Sequence, residues 1–350
     1  MINRYPQQGG GSYYSPDMGF YTQGPGPGPY YVPAPPTPAR QEKKRIRRCG
    51  NFLGLAVILY TVTSMMVGAV VYGAVWLAPG IVSGQLMEQI ATMVTYIASF
   101  ALPFGVCAAL ERMPLRTALP LRRFNGKITL LAIPLSMGAS VAASYLTALV
   151  GAVFSAVGME ASSPEFPVPT QTAAFVLYVV NMAVLPAFLE EFAFRGVILQ
   201  SLRRFGDAFA VGMSAVIFGL MHMNLVQAPY AVVMGLLFGY LTVRTGSLWT
   251  GIILHFINNM TSVGFQILLE RASASVQQSV NAAYTLLCLM MGALGLVLYL
   301  LKGGKLWFFR PAGTVCSGGK KALYLFTSAG MIVALVQIAL FMAMTLRWVG

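Results

Sequence analysis

The chain has 350 residues, 57% of them hydrophobic and only 9% charged, with a mean hydropathy of +0.70. Soluble domains carry about a quarter charged residues, so one water-soluble core cannot hide this much apolar surface and the bilayer must act as solvent. The net charge of +13 raises nucleic acid as a partner, but the basic residues sit between apolar runs rather than on one amphipathic face, which reads as membrane topology.

Residues 1–39 are rich in Gly, Pro, Tyr, Gln and Ser, with Gly24-Pro25-Gly26-Pro27-Gly28-Pro29 at their centre. Such a stretch lacks apolar periodicity and is expected to be a disordered, solvated tail with polyproline II character. No cleavable signal peptide is apparent there. A basic juxtamembrane segment, residues 40–50, follows with Arg40, Lys43, Lys44, Arg45, Arg47 and Arg48. It is expected to hold the N-terminus in the cytosol and to touch anionic lipid headgroups.

Nine apolar runs then succeed one another, at about 52–78, 90–110, 128–157, 172–204, 208–224, 229–244, 247–269, 281–301 and 322–345. The fourth is interrupted at Pro186, and Gly206–Asp207 make the turn into the fifth. Arg112, Arg116, Arg122, Arg123, Lys127, Arg203, Arg204, Arg244, Lys302, Lys305, Arg310, Lys320 and Lys321 all fall at the same set of alternate ends, whereas the opposite ends hold only Arg271 and Arg347. The pattern predicts an all-α polytopic transmembrane bundle of eight or nine spans, N-terminus inside. It divides into N-terminal helices over 51–171, a central core over 172–269 and C-terminal helices over 270–350. No internal repeat is evident, which argues against a transporter built from inverted halves. Cys49, Cys107, Cys288 and Cys316 are scattered without a Cys-x-x-Cys pair and read as small buried apolar residues.

Ionisable groups inside a membrane segment cost several kcal/mol unless paired, and so mark functional sites. Of ten acidic residues, Glu190 and Glu191 stand side by side in the fourth run; the only histidines are His222 and His255. Glu191 and Arg195 are four apart, on one helical face, and can form a structural ion pair. Glu190 points about 100° away, which leaves it for chemistry. His255 and Asn259 likewise share a face, and Phe218 lies one turn before His222, placed to pack beside it. Glu190 lies fourteen residues before Arg204, and His222 fourteen after Ala208. Both are therefore roughly 21 Å from the turn between the two runs, level in a helical hairpin. His255 and Asn259 lie about 12 and 18 Å along their helix from Ser247, so that all four can face one cavity.

A carboxylate and a neutral imidazole converging on one water can remove its proton, and a carboxylate out of water is the stronger base. A second imidazole and an amide can donate to the oxyanion of a tetrahedral intermediate in low dielectric. That set suffices for amide hydrolysis without a covalent nucleophile. The alternative is a zinc ion with an open position on Glu190, His222 and His255, although the His-Glu-x-x-His helix is absent.

Glu190-Glu191-x-x-x-Arg195, Phe218-x-x-x-His222 and His255-x-x-x-Asn259, in that order on three spans, resemble the CPBP family of CAAX-protease and bacteriocin-processing intramembrane proteases, also called the Abi family. The resemblance covers about residues 172–265. It implies an α-helical membrane endopeptidase in which Glu190 and His222 activate water while His255 and Asn259 form the oxyanion hole. Family members have been described both as glutamic and as metal-dependent proteases. The family's distribution points to a bacterial plasma membrane, with peptide maturation or bacteriocin self-immunity as the role. The expected partners are membrane lipids and a peptide or protein substrate, not nucleic acid. The competing expectation is a non-catalytic immunity or scaffold protein, or a proton-coupled transporter, since Glu and His relays also move protons.

Overall fold

The computed structural model describes residues 13–14, 21–22, 37–77, 84–121, 124–162, 166–302, 309 and 313–348. The expected disorder of residues 1–39 therefore falls almost wholly outside the described residues. Within that stretch Tyr13–Tyr14 (β1) and Tyr21–Thr22 (β2) form a two-residue antiparallel pair.

From there the described structure is helical. The helices are α1 (Pro38–Leu77), α2 (Gln85–Leu110), the single turn α3 (Leu115–Ala118), α4 (Gly126–Ala156), α5 (Thr172–Phe205), α6 (Asp207–Met221), α7 (Gln227–Thr245), α8 (Leu248–Leu269), α9 (Ala274–Leu301), α10 (Gly318–Phe326) and α11 (Ala329–Met344). Side-chain caps fix three starts: Asn125 accepts from the Ile128 amide, Ser247 from Trp249 and Ser317 from Lys320. Gly206, at φ 119°, makes the sharp turn from α5 to α6 that the sequence placed there.

Each of the nine apolar runs becomes helical, but they are not equivalent as spans. Among the described residues six helices are long and apolar enough to cross a bilayer: α1, α2, α4, α5, α8 and α9. A seventh is gained if α10 and α11, bent by 75° at their junction, count as one. The count is lower than nine because α6 has only 15 residues, about 22 Å against a hydrocarbon core of about 30 Å. The 19 residues of α7, with Gln227 and Arg244 at its two ends, are not apolar enough.

Helices α5 to α8 form the centre. On one flank, α1 packs against α2, α10 and α11; on the other, α4 packs against α7, α8 and α9. Glycines set the closest crossings. A Cβ on Gly138 of α4 comes within 2.7 Å of Gly292 on α9, and one on Gly54 of α1 within 2.2 Å of Gly330 on α11. Small residues at such crossings are how helices associate where lipid offers no hydrophobic drive.

The two ends of the bundle differ. At one end Arg204 pairs with Glu111 (2.7 Å), Lys321 donates to the Phe205 carbonyl (2.7 Å), and Glu42 accepts from the amides of Val315 and Cys316. At the other, strand β3 (Met159–Ala161) pairs antiparallel with β4 (Leu346–Trp348), and Gln266 donates to the Phe166 carbonyl. The basic connections thus gather at one end, as a multi-pass membrane protein requires. The four cysteines are free and buried.

Candidate active site

Helix α5 carries the acidic pair in an irregular stretch. Pro186 has no amide hydrogen to give. The backbone opens into a π turn over Val180–Val184 just before it, and a second π segment, Glu191–Ile198, begins immediately after Glu190. Insertions of this kind re-aim side chains inside helices and recur at functional sites. Here they bracket Glu190.

The two glutamates face different surroundings. Glu191 is fully buried; its Oε1 lies 2.8 Å from Arg195 Nη1 and 3.0 Å from His255 Nδ1. Arg195 is buried as well, with its guanidinium 4.5 Å from the Phe218 ring centre and 5.4 Å from that of Phe238. Two aromatic faces and one carboxylate thus hold the cation where no water reaches. Gly251 on α8 makes the space: a Cβ there meets Glu191 Oε2 at 2.5 Å. Glu190 instead accepts a short hydrogen bond from the Tyr96 hydroxyl on α2, and its Oε2 is 3.7 Å from His255 Nε2.

His222 does not lie within a helix. It is the cap residue at the C-terminal end of α6, followed by Met223 at φ 50°, so the short helix stops at the depth of the site. Its Nδ1 is 2.9 Å from the Phe218 carbonyl oxygen, which can only accept. Nδ1 therefore carries the hydrogen, and Nε2 is left as the basic nitrogen. The Phe218 and His222 rings meet edge to face at 5.0 Å.

His255 and Asn259 project from one face of α8. Asn259 Oδ1 lies 3.4 Å from Asn258 Nδ2; Asn258 Oδ1 accepts from Tyr230 (2.6 Å), whose hydroxyl also meets Ser140 (2.6 Å). This chain of contacts engages the oxygen of the Asn259 amide and leaves its nitrogen as the donor. All four residues, Glu190, His222, His255 and Asn259, line one cavity of about 400 Å³, together with Tyr60, Tyr96 and Asn181.

Sequence reasoning missed the grip of Glu191 on His255, which makes that carboxylate a partner of the imidazole and not of Arg195 alone. It also missed Tyr96. A lone tyrosine in an apolar run carries no signal of its own, because only the packing of α2 on α5 brings it to Glu190. Among the described residues no group of three or more His, Cys, Asp or Glu is placed to hold a metal ion. The hydrogen bonds at Nδ1 of both histidines leave Nε2 of each ring as the nitrogen open to a ligand, and Glu190, His222 and His255 line the same cavity.

A multi-pass helical bundle with a carboxylate, two imidazoles and an amide around one cavity is the class to which the earlier resemblance pointed. Residues 172–261 match the family model "Type II CAAX prenyl endopeptidase Rce1-like". A Bacillus subtilis (strain 168) protein named "Putative membrane peptidase YdiL" is 28% identical over 134 residues, 37% of this chain and 54% of that protein. The chain thus spans about half the length of the curated relative it matches. No solved structure matches. The family match lies within α5–α8, the same segment whose motifs resemble the CPBP family.

Proposed function

We propose that the protein is an intramembrane endopeptidase that cleaves a membrane-associated peptide or protein with a water molecule activated by Glu190 and His222. The observation that carries this reading is the convergence of Glu190, His222, His255 and Asn259 on one cavity. The family match and the name of the Bacillus relative support a membrane protease.

In this mechanism Nε2 of His222 accepts a hydrogen bond from the attacking water while Glu190, oriented by Tyr96, takes its proton. The carbonyl oxygen of the scissile bond turns toward His255 and the Asn259 amide. In the neutral His255 ring the hydrogen sits on Nδ1 for Glu191, and Nε2 is an acceptor. Only the protonated ring donates from Nε2, so the oxyanion role belongs to the imidazolium, held between Glu191 and Glu190. The Glu191–Arg195 pair positions this ring and does not touch substrate. The proton gathered by Glu190 passes to the departing amine as the tetrahedral intermediate collapses. The domain division follows: 172–269 supplies the chemistry, while 51–171 and 270–350 supply walls and membrane fit. The segregation of basic loops supports a cytosolic N-terminus.

Screening purified wild-type protein in detergent against a library of apolar peptides tests the proposal, with Glu190→Ala as the blank. Wild type is expected to cut a subset that both Glu190→Ala and His222→Ala leave intact while remaining folded. Full activity in both variants would overturn the assignment. Elemental analysis of the same samples addresses zinc: stoichiometric metal, lost together with activity in His222→Ala, would replace water activation by Glu190 and His222 with a metal site.

A further inference from the structure

A second space lies outside the family-matched segment. It is a groove of about 550 Å³ between α1 and α2, walled by Ser64 and Gly68 on one helix and by Glu88, Ala91, Thr95 and Ser99 on the other. Tyr60, Thr92 and Tyr96 line both this groove and the catalytic cavity, so the two spaces share a wall, and Tyr96, whose hydroxyl holds Glu190, stands at their junction.

Three features define what fits. Ser99 is 2% exposed, faces the groove, and its hydroxyl has no hydrogen-bond partner among the described residues. A hydrocarbon tail leaves such a group unsatisfied, whereas a peptide backbone satisfies it with an amide. Glu88 is exposed at the far end of the groove, in the first turn of α2, and forms no ion pair among the described residues. It suits a cation. Finally, Glu88 lies eight residues before Tyr96, and Gly68 eight after Tyr60. Each interval is about 12 Å of helix, the length of roughly four residues of extended chain.

We infer that the α1–α2 groove receives the substrate peptide on one side of the scissile bond, as about four extended apolar residues with a basic side chain or free amino group at the Glu88 end. The inference rests on the proteolytic reading of the cavity for what happens next, but the binding itself can be read without cleavage.

The test measures binding of fluorescein-labelled apolar peptides of increasing length, with or without a terminal lysine, to Glu190→Ala protein in detergent micelles. Affinity is expected to rise with length up to about four residues and then level off. A Cβ on Gly68 meets nothing within 4 Å and Gly68 lines the groove, so Gly68→Leu is the groove-filling variant whose first side-chain atom enters open space. It and Ala91→Leu are each expected to weaken the longer peptides about tenfold, and Glu88→Gln to remove the advantage of lysine. Unchanged affinity in both groove-filling variants would overturn the inference. So would a long-chain fatty acid that displaces the peptides at a lower concentration than the peptides themselves, which would assign the groove to lipid. Wild-type protein that binds these peptides in the groove and cuts none of them would defeat the proteolytic reading while leaving the groove assignment standing.

Discussion

At the scale of single residues, Tyr96 and Arg195 make separable predictions. Tyr96 donates to Glu190 and stands outside the segment that carries the family motifs. Tyr96→Phe keeps the ring but removes a hydrogen bond to a charged group, worth about 1.5–3 kcal/mol. A fall in kcat of about ten- to a hundredfold at near-constant stability is expected; unchanged kcat would show that Glu190 is oriented without it. Arg195→Met removes the guanidinium from buried Glu191 and leaves it the His255 ring alone, a loss of up to about 3–5 kcal/mol that thermal unfolding in detergent can measure. A variant as stable as wild type would mean that the pair is not the support described above. Spacing alone made the Glu191–Arg195 contact legible, because four residues on a helix is a physical distance. The contact of Glu191 with His255 was not legible, since it joins residues 64 apart and depends on Gly251 giving way between α5 and α8.

At the scale of elements, the site owes its form to departures from regular helix. The π turns around Pro186 and after Glu190, and the early stop of α6 at His222, are where α5 and α6 open enough to leave a cavity. Level placement of Glu190 and His222 was readable by counting residues from Gly206. The end of α6 at His222 was not, because the apolar run continues beyond it through Met223 and Leu225. Gly251→Ala tests the fit of α8 on α5: a methyl 2.5 Å from Glu191 Oε2 must push the carboxylate aside. Activity is expected to fall by at least about tenfold with a stability loss of about 1–3 kcal/mol, the range for overpacking. Wild-type kinetics and melting from Gly251→Ala would refute the tight seat assigned to Glu191.

At the scale of the whole molecule, hydropathy set out the bundle and the order of its helices, while the length and composition of each helix divide the apolar runs into long spans and shorter ones. A run-by-run reading treats every apolar stretch as a crossing, whereas α6 and α7 are shorter or more polar and are shielded by the longer helices around them. Charge placement predicted which ends lie together, and the contacts Glu111–Arg204 and Lys321–Phe205 gather those connections at one end. Single cysteines introduced at Glu160 and at Arg112 test the orientation. A membrane-impermeant thiol reagent added to intact cells is expected to label the first and not the second; the reverse pattern would invert the proposed topology.

In the proposed mechanism two adjacent carboxylates divide two tasks: Glu190 activates water and Glu191 positions an imidazole. The most direct measurement is kcat for Glu190→Gln on a peptide that the wild type cuts, with KM and melting temperature recorded alongside. A loss of at least about a thousandfold in kcat, with KM and melting near wild type, is the predicted result. A Glu190→Gln protein that turns over at the wild-type rate would contradict it.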